Sequence, residues 1–377
     1  MQSIGYWAFN GSGVANGNFP AGLTYIGPGA FTSTGLTSAI IPLGVTTINP
    51  NTFTDCTSLS TVSLPITMNN ISQGAFYGCT NLGSIDIPDT VTSIGSMAFY
   101  QCGFSSLDLP ANLTYIGDSA FEGSALASVD IPSGVTFISF RAFAYCPNLA
   151  ALTLHSGLLE IGTEAFAGCP LISLVIPDTV ITINPDAFTY GDFTSITLPA
   201  SVAIIADYAF ARCANLTGVT VLNPSAAIGF TAFHDTPIMS HTGTIYGYKD
   251  SSAHAYASTN GYEFEYPELS VSSAQIYEGG RFTVTPNHTG GTWSYPGVLL
   301  SGDTSSGTDA QFTALRSGTE RITYLYHDVP AYLDITIRGT TLPNTGQDFT
   351  PVMVLLAAAA VTLFIARIFA KRRVQNE

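Results

Sequence analysis

Residues 84–102 read SIDIPDTVTSIGSMAFYQC, and the chain repeats this phrase about every 22 residues. Similar phrases are SLDLPANLTYIGDSAFEGS at 106–124 and SVDIPSGVTFISFRAFAYC at 128–146. Each copy has a phenylalanine in the same place, and successive copies lie 22 or 23 residues apart. These anchor residues are Phe9, Phe31, Phe53, Phe76, Phe99, Phe121, Phe143, Phe166, Phe188, Phe210 and Phe233. A fixed period in the twenties is typical of a solenoid, in which each repeat forms one turn.

The pattern inside one repeat predicts two short strands. Apolar and polar residues alternate over 84–87, which indicates a strand with one buried face. Pro88 ends this strand, since proline has no N–H to donate to a sheet. Residues 91–94 predict a second short strand, and Ala98 and Phe99 predict a helical or 3₁₀ turn beneath the core. We therefore expect a mainly β, right-handed solenoid of about eleven repeats with short helical or 3₁₀ turns.

The charge distribution excludes some functions. The 377-residue chain has a formal net charge of -15, although only 10% of its residues are charged. Residues 1–248 contain two basic side chains, Arg141 and Arg212, against fourteen acidic ones. Such a surface repels nucleic-acid phosphates, so we expect no nucleic-acid partner. It also disfavours adsorption of the repeats to an anionic membrane.

The repeated phrase IP..VT.IG..AF..C..L resembles the BspA-type leucine-rich repeat of microbial surface proteins. The resemblance covers Met1 to about Tyr266, and residues 244–266 look like the usual C-terminal cap of that family. His155 stands where proline is usual. The glycine of the phrase is replaced at Asn49, Ser72, Ser139, Asn184 and Ala206. We expect these departures to bend loops without changing the fold.

The repeat period ends before residue 268, and the composition changes. Glycine-containing turns separate short strand-like runs at Ala274–Tyr277, Arg281–Thr285, Thr292–Tyr295, Val298–Leu300, Ala310–Ala314, Glu320–Tyr326 and Tyr332–Ile337. This pattern predicts a β-sandwich. It resembles a bacterial immunoglobulin-like (Ig-like) module with Trp293 and Tyr324 in its core. The expected domains are repeats at 1–243, a cap at 244–267, a sandwich at 268–339 and a C-terminal signal at 340–377.

The C-terminal signal has three parts in order. An apolar run at Val352–Ala366 predicts a transmembrane helix at about 350–370, and a basic tail follows at 371–377. By themselves these two parts fit an ordinary membrane anchor. The pentapeptide before them is Leu342, Pro343, Asn344, Thr345 and Gly346. The complete arrangement resembles the LPxTG sorting signal of Gram-positive surface proteins.

This resemblance implies a covalent attachment. A sortase would cut between Thr345 and Gly346 and join Thr345 to an amine of the peptidoglycan precursor. The protein would then lie in the cell wall with its extracellular face exposed. Its membrane contact would be limited to the signal helix before cleavage. Secretion needs a signal peptide, but residues 1–9 align with 91–99 in the middle of a repeat, so we expect an N-terminal truncation or a misplaced start.

The six cysteines share one position, three residues after an anchor phenylalanine. They are Cys56, Cys79, Cys102, Cys146, Cys169 and Cys213. Other repeats have serine, threonine or glycine there, which indicates a small packed site and structural thiols. The even number of cysteines leaves disulfides as an alternative. No CxxC pair supports a metal site.

The outward side of the first strand is the candidate binding face. No nucleophile motif or phosphate-binding loop is present, so we predict no catalytic residues and no enzyme activity. The predicted ligand or cation face consists of Ser84, Asp86, Ser106, Asp108, Ser128 and Asp130. Its three aspartates form either a solvated acidic stripe or a site neutralised by a basic partner or a cation such as Ca²⁺. No other cofactor or metal is expected.

These features favour an adhesin that binds a host, matrix or neighbouring-cell macromolecule through the repeat face. Extended solenoid surfaces commonly bind macromolecules. The alternative is a structural envelope or spacer protein without a specific ligand. Small polar residues dominate the face, and they keep both interpretations open.

Overall fold

Most repeats contribute a first and a second short strand to two layers of parallel sheet. The structure, a computed structural model, describes residues 2–273, 275–304 and 309–338. The solenoid elements are β1 (Ser3–Ile4), β2 (Asn16–Asn18), β3 (Tyr25–Ile26), β4 (Ser38–Ile40), β5 (Thr47–Ile48), β6 (Thr61–Ser63), β7 (Asn70–Ile71), β8 (Ser84–Asp86), β9 (Ser93–Ile94), β10 (Tyr115–Ile116), β11 (Ser128–Asp130), β12 (Phe137–Ile138), β13 (Ala151–Thr153), β14 (Glu160–Ile161), β15 (Thr182–Ile183), β16 (Ser195–Leu198), β17 (Ile204–Ile205), β18 (Gly218–Val221), β19 (Ala227–Ile228), β20 (Thr244–Tyr246), α1 (Ser252–Asn260) and β21 (Glu263–Glu265).

Equivalent residues of successive repeats face one another across each sheet. Thr61 pairs with Ser84, and Ser63 pairs with Asp86. The first-strand layer consists of three sheets, ordered β2-β4-β6-β8, β11-β13 and β16-β18-β20-β21. The second-strand layer is ordered β1-β3, β5-β7-β9-β10 and β12-β14-β15-β17-β19. This register confirms the mainly β solenoid that the repeat period predicts.

The anchor phenylalanines form a continuous column through the core. Each of the ten neighbouring pairs from Phe9 to Phe233 is stacked, with ring centroids 5.0–5.8 Å apart and interplanar angles of 4–15°. Offset stacking at this distance adds to the burial of the rings. The 22–23-residue period thus places one ring of each repeat on the ring of the next.

The segment around the anchor phenylalanine is a turn, and the predicted helical or 3₁₀ turn is wrong in the described residues. Ala98 N donates to Gly95 O of its own repeat, whereas Phe99 N donates to Ala120 O of the next repeat at 2.8 Å. Left-handed backbone at Met97 (φ 57°) and Gln101 (φ 56°) aims alternate N–H groups out of the turn. In a helix these N–H groups would donate to carbonyls four residues earlier in the same segment. Here they donate to the next repeat, so no helix forms.

The glycine after the second strand lets neighbouring repeats approach closely. Gly95 N donates to Ile71 O at 2.7 Å, and a Cβ at Gly95 would lie only 2.5 Å from Gln73 N. A larger residue at this position must therefore displace the backbone or be accommodated by a local shift.

Two of the glycine replacements interrupt the second-strand layer. Asn49 donates its Nδ2 to the Ile26 carbonyl at 2.7 Å, and Ser139 donates its Oγ to the Ile116 carbonyl. These side chains replace the backbone bond, and β3–β5 and β10–β12 are not paired. Backbone bonds remain at the other three replacements, Ser72, Asn184 and Ala206. The changes are local, and the solenoid continues through all five positions.

Helix α1 closes the end of the phenylalanine column. Ser251 caps the helix by accepting a bond from His254 N, and Gly261 ends it at φ 70°. The Tyr256 ring meets Phe233 edge-on at 6.0 Å, and its hydroxyl donates to Phe230 O. After the helix, β21 adds one more parallel strand beside β20. These elements fall in the segment expected to be the cap.

Two four-stranded sheets follow the solenoid. Their strands are β22 (Leu269–Val271), β23 (Ile276–Tyr277), β24 (Arg281–Pro286), β25 (Thr292–Ser294), β26 (Leu300–Asp303), β27 (Ala310–Ala314), β28 (Gly318–Tyr326) and β29 (Val329–Arg338). The sheets are ordered β22-β24-β27-β26 and β23-β29-β28-β25. Both contribute residues to one core, as Phe312 and Ile335 show. Tyr324 is buried, and its ring lies 4.6 Å from that of the half-buried Trp293. Strand β22 has no counterpart among the predicted strand runs.

In the part of the chain that the structure describes, we find no helix long and apolar enough to cross a membrane. The predicted transmembrane helix at about 350–370 and the basic tail lie outside the described residues.

The cysteines bond to the backbone of the neighbouring repeat. Each thiol donates to the carbonyl oxygen of the anchor phenylalanine one repeat earlier, at 2.9–3.3 Å. All six are buried free thiols. Burial raises the pKa of Cys213 to about 12 and raises the pKa values of Cys79 and Cys102. Little thiolate therefore forms at these three cysteines near neutral pH, which favours a packing role for them.

We expect Cys79→Ala to lower the free energy of unfolding by about 1–3 kcal/mol, because the variant loses the buried sulfur and its bond to the Phe53 carbonyl, which keeps only the longer bond from Cys56 N at 3.3 Å. Cys79→Ser keeps a donor and should cost less than the alanine variant, by about 1 kcal/mol or more. Denaturant titration of both variants measures this difference. Equal losses in the two variants would contradict a role for the thiol hydrogen bond.

Candidate functional site

The first-strand face is formed by the outward residues of the first-strand layer. Its predicted ligand residues are all exposed. Ser84 and Asp86 lie at the ends of β8, and Ser128 and Asp130 lie at the ends of β11. The alternation that buries Ile85 and Val129 turns these polar side chains towards solvent.

The face is interrupted at residues 106–108, which form no strand. Ser106 and Asp108 are exposed, but the first sheet ends at β8 and the next begins at β11. Residues 173–175 cause a second interruption. The three aspartates therefore do not lie on three hydrogen-bonded neighbouring strands.

The two interrupted repeats share a sequence feature. In both repeats, the buried residue at the position of the strand centre follows the cysteine by only five positions. Leu107 follows Cys102, and Leu174 follows Cys169. In the other cysteine-containing repeats this spacing is six residues, as from Cys79 to Ile85. Repeats with five-residue spacing and a smaller residue in the cysteine position, such as Ser124, keep their strand. The combination of cysteine with a short loop accompanies each interruption.

A shallow groove of about 420 Å³ lies along the first interruption. Its lining includes Ser106, Asp108, Ser128 and Asp130, together with His155. Ser84 and Asp86 do not line it. The structure thus brings four of the six predicted residues together and leaves the other two on the neighbouring sheet.

His155 also lines this groove, although the sequence did not predict it as a site residue. Its Nε2 lies 2.6 Å from Asp130 Oδ1, and both side chains are substantially exposed. The position is one repeat after Pro132 in the repeat phrase, so an imidazole projects where proline is usual. The replacement of proline by histidine marks this position in the sequence. Only the register between β11 and β13, however, places His155 beside Asp130. An exposed pair of this kind contributes at most about 1 kcal/mol to stability.

The electrostatics of the face are acidic and weakly compensated. Asp86 and Asp108 carry no ion pair among the described residues, whereas Asp130 has His155 beside it. Within the described ranges, no group of three or more histidine, cysteine, aspartate or glutamate side chains converges as a metal site. The arrangement can therefore accept hydrogen bonds from a donor-rich partner along the face.

The C-terminal end of the face differs from the rest. At the second outward position of the strand, Ile40 and Val175 are 58% and 78% exposed, whereas Thr220 is 5% exposed. The face is consequently accessible at its upstream repeats and covered near β18. The sorting pentapeptide, Leu342 to Gly346, lies outside the described residues.

The chain belongs to the BspA type leucine rich repeat region family. The family model matches six copies, over residues 1–90, 69–192 and 181–276. Members of this family are repeat proteins, and their fold is that of the solenoid described above. No curated protein matches the chain in sequence.

Several solved structures are similar to this chain, and the first of them shows the same fold. A leucine-rich repeat protein from Bacteroides ovatus is 24% identical, with a TM-score of 0.54 over 65% of this chain, which spans 58% of the length of that protein. A leucine rich cell surface protein from Faecalibacterium prausnitzii is 22% identical over 68% of this chain and 85% of its own, with a TM-score of 0.41. The pneumococcal vaccine antigen PcpA is 18% identical over 70% of this chain and 76% of its own, with a TM-score of 0.46.

Proposed function

We propose that the protein is an adhesin displayed on a Gram-positive cell wall, and that its upstream first-strand face binds a macromolecule. The observation that carries this proposal is the regular exposed face, whose outward side chains repeat in register from strand to strand. A surface built from many equivalent strands can follow an extended partner, as solenoid faces commonly do. The partner would be a host, matrix or neighbouring-cell macromolecule.

The groove at Asp108 and Asp130 gives this face its chemical preference. Carboxylates are acceptors only, so they favour a partner that presents ammonium, guanidinium or amide donors. With just Arg141 and Arg212 as basic residues in the first 248, the chain supplies few cations of its own. A basic protein segment fits this charge. A bound Ca²⁺ ion is the second way to neutralise the aspartates.

Wall attachment rests on the order of the C-terminal signal. The pentapeptide from Leu342 to Gly346 precedes the apolar run and the basic tail, as sortase recognition requires. The segment would hold the chain in the membrane until the acyl transfer to peptidoglycan through Thr345. In the mature protein the solenoid would then be displayed extracellularly, and the sorting helix would be absent.

The two-sheet domain would act as an Ig-like spacer between the repeats and the wall. Its position in the chain, after the cap and before the pentapeptide, supports this role. It would hold the first-strand face away from the peptidoglycan surface. A structural envelope protein without a ligand remains the alternative function, because small hydroxylated side chains also suit an inert surface.

Sortase attachment predicts a defined C-terminus. We expect the chain, expressed in a Gram-positive host behind an added secretory signal peptide, to be released from the wall by muramidase with its C-terminal peptide ending at Thr345 and linked to peptidoglycan fragments. Pro343→Ala should lose this linkage, since proline fixes the backbone that the sortase binds. Mass spectrometry of the released peptide measures the result.

Thr341→Ala is the matched control for wall attachment, because it changes a residue directly before the pentapeptide. It should remain wall-linked in a host with sortase and lose the linkage in a sortase-deficient host. A wall-linked product that still contains Gly346, or linkage that survives Pro343→Ala, would contradict sortase attachment.

Ligand recognition predicts saturable binding of the full-length chain to host cells or immobilised matrix proteins. Replacing Asp86, Asp108 and Asp130 together by asparagine should weaken binding about tenfold or more, which corresponds to about 1.4 kcal/mol. The equally charged control variant has asparagine at Asp118, Asp178 and Asp192, which are exposed and lie outside both the first strands and the groove lining. It should bind as the unchanged protein does.

The same binding assay with and without calcium separates the two explanations of the aspartates. Binding that requires calcium and is lost in the face variant favours a bound cation, whereas calcium-independent binding favours a basic segment. Equal binding by the face variant and the control would exclude the acidic face as the site. Absence of binding by a folded protein would favour the spacer function.

A further inference from the structure

The hairpin between β28 and β29 reaches the solenoid at its tip. Asp328 Oδ2 accepts a hydrogen bond from Thr197 Oγ1 at 2.8 Å. The neighbouring His327 carbonyl accepts one from Thr220 Oγ1 at 3.0 Å. Both threonines are outward residues of the first-strand face, on the paired strands β16 and β18. The tip therefore bonds to two adjacent strands of the surface that we propose for ligand binding.

Ring contacts extend the interface to the last two strands of the same sheet. The His327 ring stacks on Tyr246 of β20, with centroids 3.9 Å apart and an interplanar angle of 17°. Tyr326 donates its hydroxyl to Glu265 Oε2 of β21 at 2.7 Å. Tyr326 also meets Tyr246 edge-on at 6.1 Å. Polar and aromatic contacts together span the four strands β16, β18, β20 and β21.

The backbone of the tip is held in an uncommon conformation. His327 and Asp328 have φ values of 47° and 64°, as a two-residue type I′ turn requires. Asn-Gly is favoured in such turns, and left-handed backbone costs a residue such as histidine about 1 kcal/mol. Strained residues of this kind persist where their surroundings fix them, and they often mark functional contacts. Here the two strained residues are the ones that touch the solenoid.

We infer that the C-terminal end of the first-strand face is a docking site whose partner is the chain's own β28–β29 hairpin tip. The docked tip fixes the sandwich on the solenoid and withholds β16, β18, β20 and β21 from external ligands. The low exposure of Thr220 follows from this occupation. The inference goes beyond the proposed function, because it requires no external ligand and holds for an adhesin and for a spacer.

Disulfide trapping in the full-length chain tests the docking. We expect T197C/D328C to form a cross-link at least about tenfold faster than T153C/D328C, because docking raises the effective concentration of the paired thiols. Thr153 is the matched control, since it has the same register position two repeats upstream and is exposed. The six native cysteines are buried, so they compete little with the introduced pair for disulfide formation. Non-reducing electrophoresis detects the closed loop, and circular dichroism checks folding.

A second variant keeps the test decisive if the cysteine pair disturbs folding. H327G/D328G retains the favoured turn geometry and removes both side-chain contacts. It should increase hydroxyl-radical labelling of Tyr246 at least about twofold while leaving the exposed Tyr115 unchanged, because the covering ring is lost. Equal cross-linking rates in the two cysteine pairs, or unchanged Tyr246 labelling in the glycine variant, would overturn the inference.

Discussion

Every turn of this solenoid is completed by the next one. Around each anchor phenylalanine, alternate N–H groups bond within the repeat while the others bond to the following repeat, as Ala98 and Phe99 do. The stacked phenylalanine column adds apolar burial along the same direction. A single repeat would leave these donors and rings exposed to water, so stability comes from the neighbour contacts. The regular outer face is a consequence of this dependence.

The sequence predicted the parts of the fold that repeat. The spacing of the phenylalanines set the period, and the alternation at 84–87 placed both the buried Ile85 and the exposed Asp86. The conformation of the turn was not predictable in this way. Met97 and Gln101 adopt left-handed backbone although neither is glycine or asparagine, because the bonds between repeats hold them there.

The site was predicted only in part, for a similar reason. Exposure of the six face residues follows from strand alternation, which is local. The interruption at 106–108 accompanies the combination of Cys102 with a short loop, which residue alternation alone does not reveal. The approach of His155 to Asp130 depends on strand register. The docked tip joins Thr197 to Asp328 across 131 positions, a separation that no sequence period records. Features within one repeat were thus accessible, and features between distant repeats or domains were not.

Solenoid, two-sheet domain and proposed sorting signal together give a consistent account of surface display. The solenoid supplies an extended acidic face, and helix α1 of its cap covers one end of the phenylalanine column. The hairpin tip occupies the downstream end of the face, which would direct an external partner to the strands around β8 and β11. Recognition and orientation on the wall would then use different stretches of one continuous surface.

Hydroxyl-radical footprinting of the full-length chain, free and bound to host cells or matrix protein, tests the central claim most directly. The account predicts protection at Pro132 and His155 along the groove and no change at Tyr145 and Tyr190, which lie in the turns around the anchor phenylalanines. Protection confined to those turn tyrosines, with the groove labelled equally in both states, would contradict recognition through the first-strand face.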